Sequence, residues 1–197
     1  MKEINLNGFE VEWLGPFGWP KFEGDLRSIP KKPGVYLLTV EYQSGYLIYA
    51  AGITRRPMPK RFREHTREYR NGIYNVLDIV AMNAGFRRQV WHGFWMTKKR
   101  SREKLAEYNE RQIEIQKAVS KQLAGFRIFV ANIGTKPRIL ERLEAAIMEN
   151  LYKQPMPLCD IPDKGMMLAP RWKSEIPIVV KNECSVALYG LPACLEI

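Results

Sequence analysis

The sequence contains no apolar run of about 18 residues, the length that a membrane-spanning helix requires. Its first residues, MKEINLNGFEVEW, lack the apolar core of a secretory signal peptide. The three cysteines form no CxxC pair, so neither a disulfide framework nor a cysteine zinc site is indicated. No internal repeat or low-complexity segment occurs along the 197 residues. We therefore expect a cytoplasmic protein with no membrane partner.

Positive charge is what the sequence has in excess. Lysine and arginine number 31 against 21 acidic residues, which gives a formal net charge of +10. Two windows carry this excess: residues 55–70, with seven basic and two acidic residues, and residues 86–104, with seven basic and one acidic. The second window also contains Trp91, Phe94 and Trp95. Basic clusters interleaved with aromatic residues favour a nucleic-acid-binding surface, with solvated helix faces as the alternative.

Hydrophobic patterning predicts alternating strands and helices. Strands are expected at Gly8–Leu14, in a hairpin of Gly34–Val40 and Tyr46–Ala51, at Phe126–Ile133, and in a terminal pair, Ile176–Val180 and Val186–Tyr189. Helices are expected from about Pro57–Pro59 to Tyr69, over Asn75–Ala84 and Lys99–Gln122, and from Pro137 to about Lys153. The pattern predicts one domain spanning residues 1–197, with a core of residues 30–70 and 124–160, an insertion of about 71–123 and a C-terminal extension of about 161–197.

The predicted helix after Pro137 carries a carboxylate within its apolar stripe. At 100° per residue, Ile147 and Leu151 lie close to Leu140, and Glu144 lies about 40° away. A carboxylate in such a stripe is costly unless it is paired, hydrogen-bonded or bound to a cation. Glu144 is therefore either a partner of a neighbouring arginine or a metal ligand, since Mg²⁺ is commonly held by one or two carboxylates plus substrate phosphate.

Two basic residues and two tyrosines form a second candidate set. Arg61 and His65, four residues apart, lie along one edge of the predicted helix and could clamp a phosphoryl oxygen. Tyr36 and Tyr49 lie in the two strands of the hairpin, where packing is the alternative role for each. A tyrosine can accept a proton only if neighbouring positive charge lowers its pKa, and Arg61, His65 and a metal ion are the expected sources of that charge.

Together these residues resemble the GIY-YIG nuclease family. Gly34-Val35-Tyr36 stands where the family has Gly-Ile-Tyr or Gly-Val-Tyr. Tyr49-Ala50-Ala51-Gly52 is similar to its Tyr-Ile-Gly motif with one extra residue, which predicts a bulge around Tyr49. Lys60–His65 (KRFREH) is similar to the helix that carries the family's arginine, and Arg142–Ile147 (RLEAAI) to the helix that carries its glutamate.

The resemblance implies an α+β fold, a small and mainly antiparallel β-sheet flanked by helices, and a role for each residue. Tyr36 would activate water or accept its proton, and Tyr49 would orient the scissile phosphate or the water. Arg61 would stabilise the transition-state charge, and Glu144 would bind one divalent ion, Mg²⁺ or Mn²⁺, per active site. His65 corresponds to a histidine found in some branches, including restriction endonucleases.

The predicted DNA contacts lie on the basic helix and in the insertion, which is the expected source of DNA specificity. They are Arg55, Arg56, Lys60, Arg63, Arg67, Arg87, Arg88, Lys98, Lys99, Arg100 and Arg102. One family feature is missing, because the asparagine that usually follows the glutamate is replaced by Met156. Cys159 and Asp160 are the candidates for its place, and loss of its role is the alternative.

These features predict a metal-dependent endonuclease of double-stranded DNA, sequence-specific in the manner of restriction enzymes. If it cuts both strands, a homodimer is expected, because each chain holds one active site. A structure-specific repair or mobile-element nuclease is one alternative. An inactive nucleic-acid-binding module of the same fold is a second, and an unrelated basic RNA-binding or assembly protein is a third.

Overall fold

The structure is a computed structural model that describes residues 8–96, 101–134 and 136–197. Within these ranges the strands are β1 (Gly8–Gly18), β2 (Gly34–Tyr42), β3 (Gly45–Thr54), β4 (Val76–Leu77), β5 (Gln89–Trp91), β6 (Arg127–Ala131), β7 (Val179–Cys184), β8 (Leu188–Tyr189) and β9 (Cys194–Glu196). The α-helices are α1 (Met58–Arg70), α2 (Ile79–Asn83), α3 (Arg102–Glu110), α4 (Gln112–Gly125) and α5 (Pro137–Tyr152). None of these described helices is both long and apolar enough to cross a membrane.

Seven strands form one mixed, strongly curled sheet in the order β8-β3-β2-β6-β1-β7-β9. Strands β1 and β7 pair in parallel, as do β3 and β8, whereas the other four pairs are antiparallel. The prediction of a small, mainly antiparallel sheet is therefore wrong. The C-terminal residues 161–197, predicted to be an extension, contribute three of the seven strands and enlarge the sheet at both edges.

Both faces of β2, an inner strand of the sheet, are covered, and its side chains alternate between two layers of core. Tyr36 and Leu38 face the layer that contains α1 and the insertion, while Val35 and Leu37 face the layer that contains α5. Phe62 anchors α1 in the first layer. The two helices that carry candidate residues therefore lie on opposite faces of the same strands.

A β-bulge lies at Tyr49, as the extra residue of its motif predicts. Leu38 pairs with Ala50 and Thr39 pairs with Ile48, so Tyr49 has no partner in β2. The bulge shifts the alternation of side chains along β3, because Tyr49 and Ala50 both join the α1 layer. The shifted register then places Gly52 opposite Tyr36.

The insertion differs from its predicted helices in two places. Over Asn75–Ala84 only α2 is helical, since Val76–Leu77 pairs with β5 instead. Lys99–Gln122 is predicted as one helix, but its described part, residues 101–122, lies in two helices, α3 and α4, that break at Arg111, where ψ is 11°. The segment is polar and rich in charge, and no glycine or proline marks the break, which is why the sequence predicts a single helix.

Candidate active site

A cleft of about 430 Å³ opens beside β3. Strand β8 pairs with Tyr46 and Leu47 of β3, and in the described structure no strand pairs with the remaining part of this edge. Residues from β2, β3, α1, α5, the insertion and the C-terminal segment line the cleft there. All five predicted catalytic residues are among them: Tyr36, Tyr49, Arg61, His65 and Glu144.

Tyr36 and His65 form a buried pair inside the cleft. The Tyr36 hydroxyl lies 2.7 Å from Nε2 of His65, and the Tyr74 hydroxyl lies 3.3 Å from Nδ1 on the other side of the ring. Burial, reinforced by the positive charge of Arg61, lowers the pKa of His65 to about 3. The imidazole is therefore neutral at neutral pH, with one nitrogen free to accept a proton.

Tyr36 does not have the lowered pKa that the sequence reasoning expects of a proton acceptor. Burial raises the pKa of Tyr36 to about 12, although Arg61 acts in the opposite direction. His65 contributes no positive charge because it is neutral. Tyr36 therefore holds its proton at neutral pH. Of the three expected sources of positive charge, Arg61, His65 and a metal ion, Arg61 does lower the pKa of Tyr36, but burial has the larger effect in the protein without a ligand.

Arg61 projects from α1 into the cleft with its side chain one-third exposed. Its closest carboxylate is that of Glu64, one turn along the helix, at 3.8 Å. Its Nε is buried and has no hydrogen-bond partner in the described part of the chain. A buried donor without a partner is costly, so the guanidinium can gain an acceptor when an anion enters the cleft.

Glu144 reaches the cleft from α5 and is half-buried. No basic side chain of residues 8–96, 101–134 or 136–197 lies within 4.0 Å of its carboxylate, so a salt bridge to a neighbouring arginine is not what holds it. Burial raises the pKa of Glu144 to about 7, against the effects of Arg61 and a hydrogen bond from the Ile53 backbone. No cluster of three or more His, Cys, Asp or Glu side chains suited to a metal ion occurs in the described residues.

A second set of polar residues, which the sequence reasoning missed, surrounds Tyr49 in the same cleft. Tyr69, Asn75 and Asp163 line it together with Tyr49. Neither Cys159 nor Asp160 is among the lining residues, so the described structure brings Asp163 to this cleft instead. Asp163 lies in an irregular segment after α5, where no periodic pattern marks a residue as inward-facing.

Tyr49 is only 2% exposed. Burial raises the pKa of Tyr49 well above its ordinary value, and the neighbouring Tyr69 and Asp163 raise it further. Its hydroxyl is therefore protonated at neutral pH.

The predicted DNA contacts have different environments. Lys60 and Arg63 are exposed on α1, and within the described chain no carboxylate lies within 4.0 Å of either; Arg102 is exposed at the start of α3. Four others pair with carboxylates: Arg55 with Glu141, Arg56 with Glu64, Arg67 with Glu68, and Arg88 with Asp78. Lys98, Lys99 and Arg100 lie outside the described residues.

Arg87 has a different environment from the other predicted contacts. Its Nη1 donates to the backbone carbonyls of Asp160, Ile161 and Pro162, at 3.2, 2.9 and 3.1 Å. This guanidinium is therefore engaged in holding the C-terminal segment against the insertion.

No family model, curated protein or solved structure matches this chain. The likeness to the GIY-YIG family therefore stays a prediction. A function is therefore inferred from the residues that line the cleft.

Proposed function

We propose that the protein is a metal-dependent endonuclease of the GIY-YIG type that hydrolyses phosphodiester bonds in double-stranded DNA. The observation that supports this most strongly is the meeting of Tyr36, Arg61, His65 and Glu144 in one cleft. They come from β2, α1 and α5, which are separated along the chain, and the two helices lie on opposite faces of the sheet that contains β2. Core packing alone does not require a tyrosine, an arginine, a histidine and a glutamate without a basic partner among the described residues to line the same cleft.

Phosphate binding is assigned to Arg61 and to the outer face of α1. The buried Nε of Arg61 lacks an acceptor, and a phosphoryl oxygen supplies one. Lys60 and Arg63 are exposed on the same helix, without carboxylate partners among the described residues, and can neutralise neighbouring backbone phosphates. The same helix therefore serves both the scissile phosphate and its neighbours.

Proton transfer is assigned to Tyr36 and His65. Because Tyr36 is protonated, it can accept a proton from water only if its own proton moves to His65, whose Nε2 is 2.7 Å away. This requires the tautomer in which Nδ1 of His65 carries the proton and faces the hydroxyl of Tyr74. Protonation of His65 is unfavourable in the empty cleft. The negative charge of a bound phosphodiester would make this protonation less unfavourable.

The residues present fit a single divalent ion. Glu144 offers a half-buried carboxylate with no basic partner within 4.0 Å in the described chain, and Mg²⁺ commonly takes one or two protein carboxylates and completes its shell with water and substrate phosphate. An ion held by Glu144 would stabilise the negative charge that develops on the phosphate oxygens. A site built in this way depends on substrate, which agrees with the lack of a three-residue cluster in the described part.

The test is cleavage of phage and plasmid DNA of mixed sequence, and of branched DNA, with Mg²⁺, Mn²⁺ or EDTA. The parent is compared with Glu144→Gln and with Glu141→Gln, a matched control on the same helix that pairs with Arg55 and Arg138 instead. We expect discrete fragments that EDTA abolishes, a loss of at least about 100-fold for Glu144→Gln, and little change for Glu141→Gln.

Three other outcomes would change the proposal. Nicking or a smear with the same metal dependence would support a nuclease but contradict restriction-type specificity. Selective cutting of branched DNA would favour a repair or mobile-element enzyme. Tight DNA binding with no cleavage of any substrate would overturn the enzymatic proposal and leave a binding module. Cutting of both strands at a two-fold symmetric sequence would support the homodimer, since each chain contributes one cleft.

A further inference from the structure

Tyr74 belongs to the insertion, and its side chain lines the cleft. The residues on either side of it are tied to a second stretch of the insertion. The N–H of Trp95 donates to the carbonyl of Ile73 at 3.1 Å, and the N–H of Gly93 donates to Oδ1 of Asn75 at 2.9 Å. The insertion therefore fixes the backbone that carries Tyr74 and, with it, the point from which this side chain enters the cleft.

The Tyr74 side chain is held among aromatic rings that direct its hydroxyl to His65. The centre of its ring lies 5.1 Å from that of Tyr69 in an edge-to-face contact and 5.6 Å from that of His65. Its hydroxyl lies 3.3 Å from Nδ1 of His65, while the hydroxyl of Tyr36 lies 2.7 Å from Nε2. Each nitrogen of the buried imidazole therefore faces its own phenol hydroxyl.

The lengths of these two contacts indicate which nitrogen of His65 carries the proton. Hydrogen bonds from N–H to oxygen are most often about 2.9–3.0 Å long, and those from hydroxyl groups to oxygen are shorter, about 2.7–2.8 Å. The 2.7 Å contact at Nε2 therefore fits a Tyr36 hydroxyl that donates to an unprotonated nitrogen. A neutral imidazole then carries its proton on Nδ1, and the oxygen of Tyr74 is the acceptor that faces it.

We propose that Tyr74 is a positioning residue whose hydroxyl accepts the Nδ1 proton of His65 and so keeps Nε2 free to receive the proton of Tyr36. The consequence for catalysis rests on the proposed nuclease function, whereas the tautomer is a property of the protein without substrate. His65 is only 9% exposed, so loss of this acceptor would leave a buried N–H without it, which is costly. The proton would then move to Nε2, where the Tyr36 oxygen can accept it, and Nε2 could no longer take a proton from Tyr36.

The tautomer of His65 can be measured by ¹⁵N NMR, because the sequence contains only two histidines. His92 is exposed, so His92→Gln leaves His65 as the single imidazole, and the shift of each ring nitrogen reports whether it carries a proton. In the metal-free protein without DNA, we expect the Nδ1–H tautomer, and Tyr74→Phe should convert it to the Nε2–H tautomer. The matched control is Tyr108→Phe, since Tyr108 is buried, donates its hydroxyl proton to the carbonyl of Arg70 and does not line the cleft.

This measurement separates the inference from the nuclease proposal. An Nε2–H tautomer in the parent would overturn the inference whatever the protein does to DNA, and it requires no variant at position 74. The same tautomer in Tyr74→Phe as in the parent would also overturn it. A tautomer that changes as expected in a protein that cuts no DNA would support the role of Tyr74 and contradict only the nuclease proposal.

A double-mutant cycle on the cleavage step tests whether Tyr74 acts through His65. Single-turnover rates are measured at saturating protein for the parent, Tyr74→Phe, His65→Phe and the double variant. Tyr74→Phe should lower the rate about 10- to 100-fold in the parent but less than about 2-fold when His65→Phe is present. Equal losses in both backgrounds, or no loss in the parent, would overturn the proposal. Tyr108→Phe should cleave at the rate of the parent.

Discussion

Gly52 is the residue whose replacement most directly tests the geometry of the cleft. The bulge at Tyr49 places Gly52 opposite Tyr36, and the Tyr36 ring occupies the space where a side chain would begin. The Cβ of an alanine at position 52 would lie 2.3 Å from Cζ of Tyr36, and its distance to the Tyr36 hydroxyl oxygen would be similarly short. Glycine is required here by this close approach and not by its backbone angles.

The size of the effect of Gly52→Ala follows from that overlap. The Tyr36 ring would have to move by about 1 Å to restore ordinary van der Waals contact. Tyr36 is buried beside Phe62, so this overpacking should lower the free energy of unfolding by about 1–3 kcal/mol. A shift of about 1 Å would also break the 2.7 Å contact between Tyr36 and His65, and misplacement of that size in a catalytic group costs about 100-fold in rate.

The assay is thermal unfolding together with single-turnover cleavage of DNA, with Gly24→Ala as the control. Gly24 has a φ of +56°, so alanine is strained there by about 1–2 kcal/mol, but in the described structure no atom beyond its two chain neighbours lies within 4 Å of its new Cβ. The two variants should therefore lose similar stability, and only Gly52→Ala should lose cleavage. Full activity in a folded Gly52→Ala variant would refute the idea that the contact between Tyr36 and His65 is needed for the reaction.

Two further predictions concern charge. Burial raises the pKa of Glu144 from 4.5 to about 7, so the folded protein binds this proton more tightly, and the contribution of Glu144 to stability is lost as the pH rises through 7. Urea unfolding in EDTA at pH 5 and at pH 8 measures this loss. The free energy of unfolding should fall less for Glu144→Gln than for the parent over this range, by up to about 3 kcal/mol. Equal losses would contradict the buried position of Glu144. Removing the exposed pair Lys60 and Arg63 by alanine should reduce the salt dependence of DNA binding by about two units of log–log slope, whereas alanine at the exposed Lys173 and Lys181 should not. The same slope for both double variants would show that α1 does not bind the DNA backbone.

Most of the candidate site can be predicted because it is built from locally patterned segments. The stripe of α5 identifies Glu144 as a carboxylate on a buried arc, and the spacing of Arg61 and His65 places them on one side of α1. The extra residue in Tyr49-Ala50-Ala51-Gly52 predicts the bulge, which the register of β2 and β3 confirms. Each of these signals comes from residues that are close together in the sequence, within one helix or one strand.

The rest of the site depends on contacts that sequence patterns do not express. Asp163 and Asn75 lie in irregular segments, and they line the cleft together with Tyr49, while Arg87 ties the C-terminal segment to the insertion. Arg87 itself belongs to a basic cluster, which is why the sequence predicts a DNA contact for it. Charge patterning cannot distinguish a guanidinium that caps backbone carbonyls from one that faces solvent.

The sheet could not be predicted for a related reason. Its parallel pair of β1 and β7 joins Gly8 to Val179, and β8 and β9 have only two and three residues. Strands so short carry no alternation, and pairing between the two ends of a chain leaves no local signal. The site was predictable despite this error because β2, β3, α1 and α5 form it. The predicted C-terminal pair, Ile176–Val180 and Val186–Tyr189, overlaps β7 and β8, but these strands pair with β1 and β3 and not with each other. Together with β9, they lie towards the edges of the sheet.

The protonation states of the cleft residues favour the binding of an anion. Burial keeps Tyr36 and Tyr49 protonated and His65 neutral, and it leaves Glu144 only partly ionised near neutral pH. Arg61 keeps its positive charge, and its buried Nε lacks a partner in the described residues. Burial makes the two tyrosines, His65 and Glu144 poor acids or bases as long as no ligand is bound. The same burial strengthens electrostatic interactions with a phosphate once water is displaced from the cleft. An anion beside Arg61 would raise the low pKa of His65, so Nε2 would become a better acceptor for the proton of Tyr36. Substrate binding would in this way favour the transfer of a proton from water to Tyr36.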